Sequence, residues 1–331
     1  TLGSHGAGDI TVFKTYVTTL DSHDISIVYY IQMKKLEEQS LFIPVGNDNE
    51  LHLKRFYSNP EGKPVLLLHG SVESGRIFYS LTQKGWGPFL ARNGYDVFIP
   101  DTRGRGESRP PVKRGANYGN PETILDDMPL ILNAIQEIKG NVPMHWMAHS
   151  WGGIQMLCFL ARFPETPISS MVFFSAVRLK RVKNLARFLN INLGYNIFLR
   201  IVANIMGYFP AKSLKVGSEN ESFQQFEQTR VWIMKRPWKS PRDEFDYATQ
   251  IPETRFPPTL YLAGAGDVFM GHPEDVKVTM QEAGQSEADF WILGKKNGFS
   301  RDYGHNDSLF HKNAVNDHFP KILEWLIKID S

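Results

Sequence analysis

Four short apolar runs constrain this chain more than anything else in it. "PVLLLHG" (64–70), "YDVFIPD" (95–101), "PMHWMA" (143–148) and "PISSMVFFSA" (167–176) are too short for helices and scarcely alternate with polar residues. A strand wetted on one face alternates, whereas a strand covered on both faces does not. Helical spacing lies between the runs, in "ETILDDMPLILNAIQEI" (122–138) and "WGGIQMLCFLARF" (151–163). Strands alternating with helices imply parallel pairing and right-handed crossovers. The expected fold is therefore α/β, a mostly parallel central sheet flanked by helices. Upstream, "ITVFKTYVTT", "ISIVYYIQM" and "NELHLKRFYS" also read as strands.

The rhythm breaks after residue 176. Residues 177–256 contain "RLKRVKNLARFLNINLGYNIFLRIVANIMGYF" and little that resembles a buried strand. Two or more amphipathic helices are expected there. Alternation resumes with "PPTLYLAGAGD" (257–267), a helix over "DVKVTMQEAG", the strand "FWILG" (290–294) and a closing helix over "PKILEWLIKI". The simplest division is a core in two parts, 10–176 and 257–330, interrupted by a helical cap at 177–256. At 331 residues the chain exceeds what one small core needs, which agrees with a domain carrying an insertion.

A formal charge of +2 without a long basic stripe gives no argument for nucleic acid. The lone cysteine, Cys158, excludes an internal disulfide framework and a Cys-based zinc site, and it reads as a small buried thiol. No run approaches the ~20 apolar residues of a membrane span. No signal peptide is visible, so the cytoplasm is the expected compartment, while the absence of a starting Met and "GSHGAG" near the start leave a processed native start open. Nothing calls for a metal or a cofactor.

The stretch "MHWMAHSWGG" (144–153) runs an apolar strand into Ser150 and then into two glycines. A sharp strand-to-helix turn needs small neighbours and holds the hydroxyl up as a nucleophile. By itself the small-x-Ser-x-Gly pattern is weak, arising by chance in roughly a quarter of chains this long. A serine nucleophile also needs a base. His305 lies in "KKNGFSRDYGHNDSLF", the loop after the last strand, whereas His23, His52, His145, His272, His311 and His318 read as surface or packing histidines. "YLAGAGD" delivers Asp267 just past a buried strand, where open α/β sheets build their sites. Asp302, Asp307 and Asp275 compete with it. The acid must reach the imidazole nitrogen facing away from Ser150, which a neighbour in sequence does poorly, so Asp267 is the expected orienter. The "GAG" before it is not a dinucleotide fingerprint, because Phe269 stands where the third glycine would be. In "LLLHGSVES" (66–74), Gly70 allows close backbone approach. The N–H groups of Ser71 and Trp151 are the expected oxyanion donors, and His69 is expected to brace the loop. No Gly-Lys-Ser/Thr follows, so this is not a phosphate loop.

These motifs together resemble the α/β-hydrolase family. The order Ser150, Asp267, His305 is that family's chain order. "HGSVES" resembles its oxyanion loop, and "AHSWGG" its nucleophile elbow with Ala148 in place of the commoner Gly. "DTRGRGES" (101–108) resembles its Asp-x-Arg-Gly-x-Gly-x-Ser turn, so Asp101, Arg103 and Ser108 are structural rather than catalytic. The match covers about 49–176 and 257–330, with 177–256 similar only as a variable helical cap. The resemblance implies a serine hydrolase of the esterase or lipase kind, working through an acyl-enzyme on Ser150. Ser150 argues against dehalogenases and epoxide hydrolases of this fold, which use Asp at the elbow. An apolar cap favours a small hydrophobic ester, with Phe188, Phe198 and Phe209 as expected substrate contacts. "RLKRVK" (178–183) reads as a solvated face, although interfacial lipid contact through the cap stays open. An acyltransferase, a carbon–carbon bond hydrolase and a non-catalytic receptor are the alternatives.

Overall fold

The computed structural model describes residues 12–16, 27–31, 35–46, 49–234 and 238–331. The opening "GSHGAG", the histidine at 23 and the ends of the first two expected strands lie outside them. The chain divides into two units, residues 1–35 and 36–331. In the first, β1 (Val12–Tyr16) pairs antiparallel with β2 (Ile27–Ile31).

The second unit is built on one eight-stranded sheet. In chain order its strands are β3 (Glu37–Gly46), β4 (Asn49–Tyr57), β5 (Pro64–Leu68), β6 (Asp96–Asp101), β7 (Met144–His149) and β8 (Ile168–Phe174). Two short strands of the insertion, β9 (Tyr208–Phe209) and β10 (Glu221–Ser222), pair only with each other. β11 (Thr259–Gly264) and β12 (Asp289–Leu293) complete the large sheet, whose order is β12-β11-β8-β7-β5-β6-β4-β3. Every neighbouring pair is parallel except β4 with β6 and β4 with β3, so β4 alone runs against the rest.

The four apolar runs become β5 to β8, and the absence of alternation has the expected cause. Leu66, Leu68, Trp146 and Ala148 enter the core on one face, while Val65, Leu67 and Met147 enter the core on the other. The helix Trp151–Arg162 covers the first face, and Phe319, Ile322 and Leu326 of the closing helix His318–Asp330 cover the second. Cys158 is buried in that first layer, and burial raises its thiol pKa well above the ordinary value.

β3 is absent from the sequence reading. Pro44 falls inside it, and proline is tolerated because β3 is an edge strand, with a register shift between Pro44 and Gly46. Between β8 and β11 the chain forms a nearly continuous helical run, Leu185–Arg187, Phe188–Leu199 and Arg200–Met206, whose middle section is π-helical. The helices Phe223–Met234 and Tyr247–Glu253 follow. This insertion has its own small core of Ala203, Phe209, Ala211 and Phe226.

Strand order reverses where the chain steps from β6 back across β5 to β7. The carboxyl ends of β5 and β7 therefore open onto a switch point of the sheet, where loops diverge and leave a crevice.

Candidate active site

Ser150 caps the helix Trp151–Arg162 directly after β7, with φ 50° and ψ −120°. A positive φ at a non-glycine residue in such a region costs on the order of 1–3 kcal/mol and persists only where the surroundings enforce it. Here Ser150 N donates to Phe174 O at 2.8 Å, which ties the turn to the end of β8. The turn also needs glycine at 152. A Cβ there would meet His69 O at 2.5 Å and Leu68 O at 2.7 Å, both backbone atoms at the end of β5.

Three loops converge on the serine. His305 Nε2 lies 3.0 Å from Ser150 Oγ, and His305 Nδ1 lies 2.6 Å from Asp267 Oδ2. Asp267 follows β11 and is nearly fully buried. Its carboxylate also accepts from Met270 N at 2.9 Å and Gly271 N at 2.7 Å. Burial alone would raise the Asp267 pKa, but the His305 hydrogen bond and charge, Lys180 and the Met270 amide outweigh it and hold the carboxyl below its ordinary value. An ionised Asp267 selects the tautomer in which Nδ1–H donates to it and Nε2 accepts from the Ser150 hydroxyl. Burial lowers the His305 pKa, and Asp267 only partly offsets that. The imidazole is therefore neutral, and able to accept a proton, near pH 7.

The competing acids go elsewhere. Asp307 binds Gly304 N within its own loop and Arg301 Nη2 at 2.9 Å. Asp302 accepts from Lys295 N at 2.8 Å, and Asp275 from Arg181 N at 2.7 Å and Val182 N at 3.0 Å. The turn at 101–108 is likewise internal: Asp101 accepts from Gly75 N, Glu107 N and His52 Nδ1, and Ser108 Oγ donates to Asp101 O. Arg103 pairs with Asp127. His69 spans Gly70 O at 2.8 Å and Thr102 N at 3.2 Å, which braces the loop after β5.

Ser71 and Trp151 both line a small pocket beside the Ser150 turn. Its wall is polar, with Arg103, Arg105, Tyr118, Gln155, Glu221 and Gln225. Arg105 Nη2 reaches Glu221 Oε1 at 2.5 Å, so the buried cation meets a buried anion. Phe188, Phe198 and Phe209 do not line this pocket. Phe209 is buried against Tyr195 and Phe226, and Phe188 and Phe198 are exposed on the helical run between β8 and β11.

Sequence reasoning missed two residues. His149 Nδ1 donates to Glu73 Oε2 at 2.8 Å, and His149 Nε2 donates to His305 O at 3.1 Å. Glu73 Oε2 also accepts from Gly70 N at 3.0 Å. Burial opposes charge on both groups, but each outweighs that for the other, so the His149 pKa is raised and the Glu73 pKa lowered. This buried ion pair joins the loop after β5, the Ser150 turn and the His305 loop. Both residues lay inside the two motifs, "HGSVES" and "AHSWGG", and a shared site could have suggested pairing them. Val72, at φ 52° in the same loop, is held from the insertion, where Glu219 N donates to Val72 O at 2.9 Å.

Among the described residues no cluster of His, Cys, Asp or Glu is arranged to hold a metal ion, and no helix is long and apolar enough to cross a membrane. A family model for the alpha/beta hydrolase fold matches residues 63–293. No curated protein sequence matches the chain significantly. Similar solved structures include an esterase from Thermogutta terrifontis, at 18% identity and TM-score 0.53, with 88% of this chain and 100% of that one covered. An esterase from Exiguobacterium antarcticum aligns at 15% identity and TM-score 0.58, covering 88% and 100%. The 2-hydroxy-6-oxo-6-phenylhexa-2,4-dienoate hydrolase of a Rhodococcus species aligns at 17% and 0.54, covering 88% and 99%. At these identities the likeness is one of fold.

Proposed function

The chain belongs to the α/β-hydrolase fold family, and on that premise we propose that it is a serine hydrolase cleaving carboxylic esters. One observation carries the reading: a strained serine whose hydroxyl lies 3.0 Å from an imidazole that is itself 2.6 Å from a buried carboxylate.

In this reading Ser150 is the nucleophile, His305 the base and Asp267 the orienting acid. His305 Nε2 takes the hydroxyl proton as Ser150 Oγ attacks the ester carbonyl. The N–H groups of Ser71 and Trp151 receive the developing oxyanion. Collapse of the intermediate breaks the bond to the alcohol, and His305 returns the proton to the leaving oxygen. Water, deprotonated by the same imidazole, then releases the acid from the acyl-enzyme. Residues 177–256 act as the cap. Because the wall beside Trp151 is polar, in this reading the apolar part of the ester lies on the cap side rather than in that pocket.

The test is turnover of a p-nitrophenyl ester together with labelling by a fluorophosphonate probe. Ser150→Ala should fold as the parent does, lose labelling and lose roughly four to six orders of magnitude in turnover. A mutant that kept a tenth of the parental rate would remove Ser150 from the mechanism. A parent chain that neither turns over esters nor labels would be a receptor on this fold. A second reading, a carbon–carbon bond hydrolase, draws on the Rhodococcus neighbour, and an ester panel with no turnover but intact labelling would favour it. Competition between water and added alcohols separates hydrolysis from acyl transfer.

A further inference from the structure

Residues 166–218 contain no Asp or Glu, yet eight Lys or Arg fall between 178 and 215. Apolar side chains of the same stretch stand in solvent. Leu185 is 71% exposed, Leu189 50%, Ile197 53%, Phe198 60%, Ile201 55% and Ile205 66%. Most of these fall on a four-residue step along the run Leu185–Arg187, Phe188–Leu199, Arg200–Met206. The wider turn of the π-helical section, bonded i to i+5, keeps that step nearly in line. The result is one apolar stripe about six turns' worth of residues long, larger than singly scattered surface residues would make.

The charge decides what covers it. Arg181 and Lys183 are exposed just before the helix, and Lys215 just after it. A second copy packed face to face would bring cation toward cation with no acid from this stretch to meet them. An anionic surface supplies the missing countercharge. A helix with Leu, Ile and Phe on one side and only cations at its flanks has the composition that seats in a headgroup layer. Its start also sits at the rim of the crevice. Asn184 Nδ2 donates to Val268 O at 2.7 Å, one residue beyond Asp267, and Val268 and Met270 are themselves exposed.

We propose that this helical run docks the protein onto lipid bilayers bearing anionic headgroups, with its first turn placing the mouth of the Ser150 crevice at the lipid surface. The proposal goes beyond the ester-hydrolase reading and does not depend on Ser150 chemistry.

The test is flotation of the full chain with phosphatidylcholine vesicles, with and without phosphatidylglycerol. The parent chain should float with the mixed vesicles. Ile197→Glu/Ile201→Glu should abolish flotation while leaving thermal melting and turnover of soluble p-nitrophenyl acetate unchanged. If that pair fails to fold, Ile197→Ser/Ile201→Ser serves in its place. Arg181→Ala/Lys183→Ala should weaken binding about twenty-five-fold, the product of about fivefold per cation near an anionic surface. Ser150→Ala should float as the parent does, which separates this proposal from the assignment of the nucleophile. Absence of flotation with mixed vesicles overturns it, as does flotation indifferent to both sets of substitutions. Self-association lost in Ile197→Glu/Ile201→Glu, without any vesicle binding, would make the stripe a contact between copies and would overturn it too.

Discussion

At the residue scale, the three groups proposed for catalysis make separable demands. Asp267→Asn keeps the shape but presents an amide to Nδ1 and favours the wrong imidazole tautomer, so turnover should fall by roughly 10⁴. Asp307→Asn should cost far less, because Asp307 binds Gly304 N and Arg301 and not the imidazole. Near-parental activity in Asp267→Asn would move the acid elsewhere. The base makes a pH prediction. His305 must be neutral to accept the proton, and burial sets its pKa below the ordinary 6.5. kcat/KM should therefore be lost as pH falls, with a midpoint below 6.5; a midpoint above it would show that burial does not govern this imidazole. The buried pair beside them is structural in origin but touches three loops of the site. Glu73→Ala strands a buried imidazolium and should cost about 3–5 kcal/mol in denaturant unfolding. Glu73→Gln should cost less, since its carboxamide oxygen can still accept from His149 Nδ1 and Gly70 N; equal losses in both would mean that these hydrogen bonds contribute nothing beyond the charge. Ser150, His305 and Asp267 were legible because each sits just past an apolar run or in the loop that follows one. Glu73 and His149 were not, because a buried ion pair leaves no spacing pattern, and the two lie 76 residues apart.

At the element scale, the Ser150 turn depends on how closely the end of β5 approaches the helix Trp151–Arg162. Gly152→Ala would push a methyl against the carbonyl oxygens of His69 and Leu68, at 2.5 and 2.7 Å, and no flexible side chain can yield there. It should lower both melting temperature and turnover, whereas Gly140→Ala, whose Cβ would meet nothing, tests only the strain of its positive φ. The insertion separates packing from surface. Phe209 lies in the small core with Phe226, so Phe209→Ala should destabilise by about 3–5 kcal/mol. Phe198→Ala removes an exposed ring and should leave stability within about 0.5 kcal/mol. If acyl-length preference follows the shape of the cap, Phe209→Ala is also the one that should alter it, by no more than about 10- to 200-fold between neighbouring lengths. Periodicity showed that residues 185–206 are helical but not which side meets protein, since a stripe of Leu, Ile and Phe looks the same whether it faces a core or lies bare. Most of the stripe is bare. Periodicity also failed for β3, whose burial alternates from Ser40 to Gly46 while its residues are polar up to Ser40 and apolar from Leu41 to Val45.

At the scale of the whole molecule, the parallel sheet was readable because its middle strands are buried on both faces and helical spacing lies between them. Strand order was not readable, because β5, β6 and β7 look alike and only packing decides that the chain crosses back over β5. The same two-sided burial governs the response to acid. The sheet and its helical layers enclose histidines that stay neutral in the fold, among them His145 and His318, each with its pKa lowered by burial to about 4. The unfolded chain binds their protons near 6.5, so it takes up protons first as pH drops. Stability from these groups is complete above about 6.5 and is lost progressively as pH falls toward 4. For one group the gap between 6.5 and about 4 corresponds to roughly 3 kcal/mol at the lower pH. Other groups pull the opposite way, including Asp127, whose pKa burial raises to about 6, so the net acid slope is a sum of terms of both signs. A difference between two proteins isolates one term. His318 Nε2 donates to Ser308 O at 2.6 Å, while its Nδ1 is buried without a partner. Glutamine can make the same donation and cannot take up a proton. His318→Gln should therefore lose some stability at pH 7 through imperfect packing against Tyr303 and Phe319, yet fall less steeply than the parent between pH 6.5 and 4. Denaturant unfolding of both chains across that interval measures the difference, and parallel curves would mean that His318 carries the same charge in the folded and unfolded states.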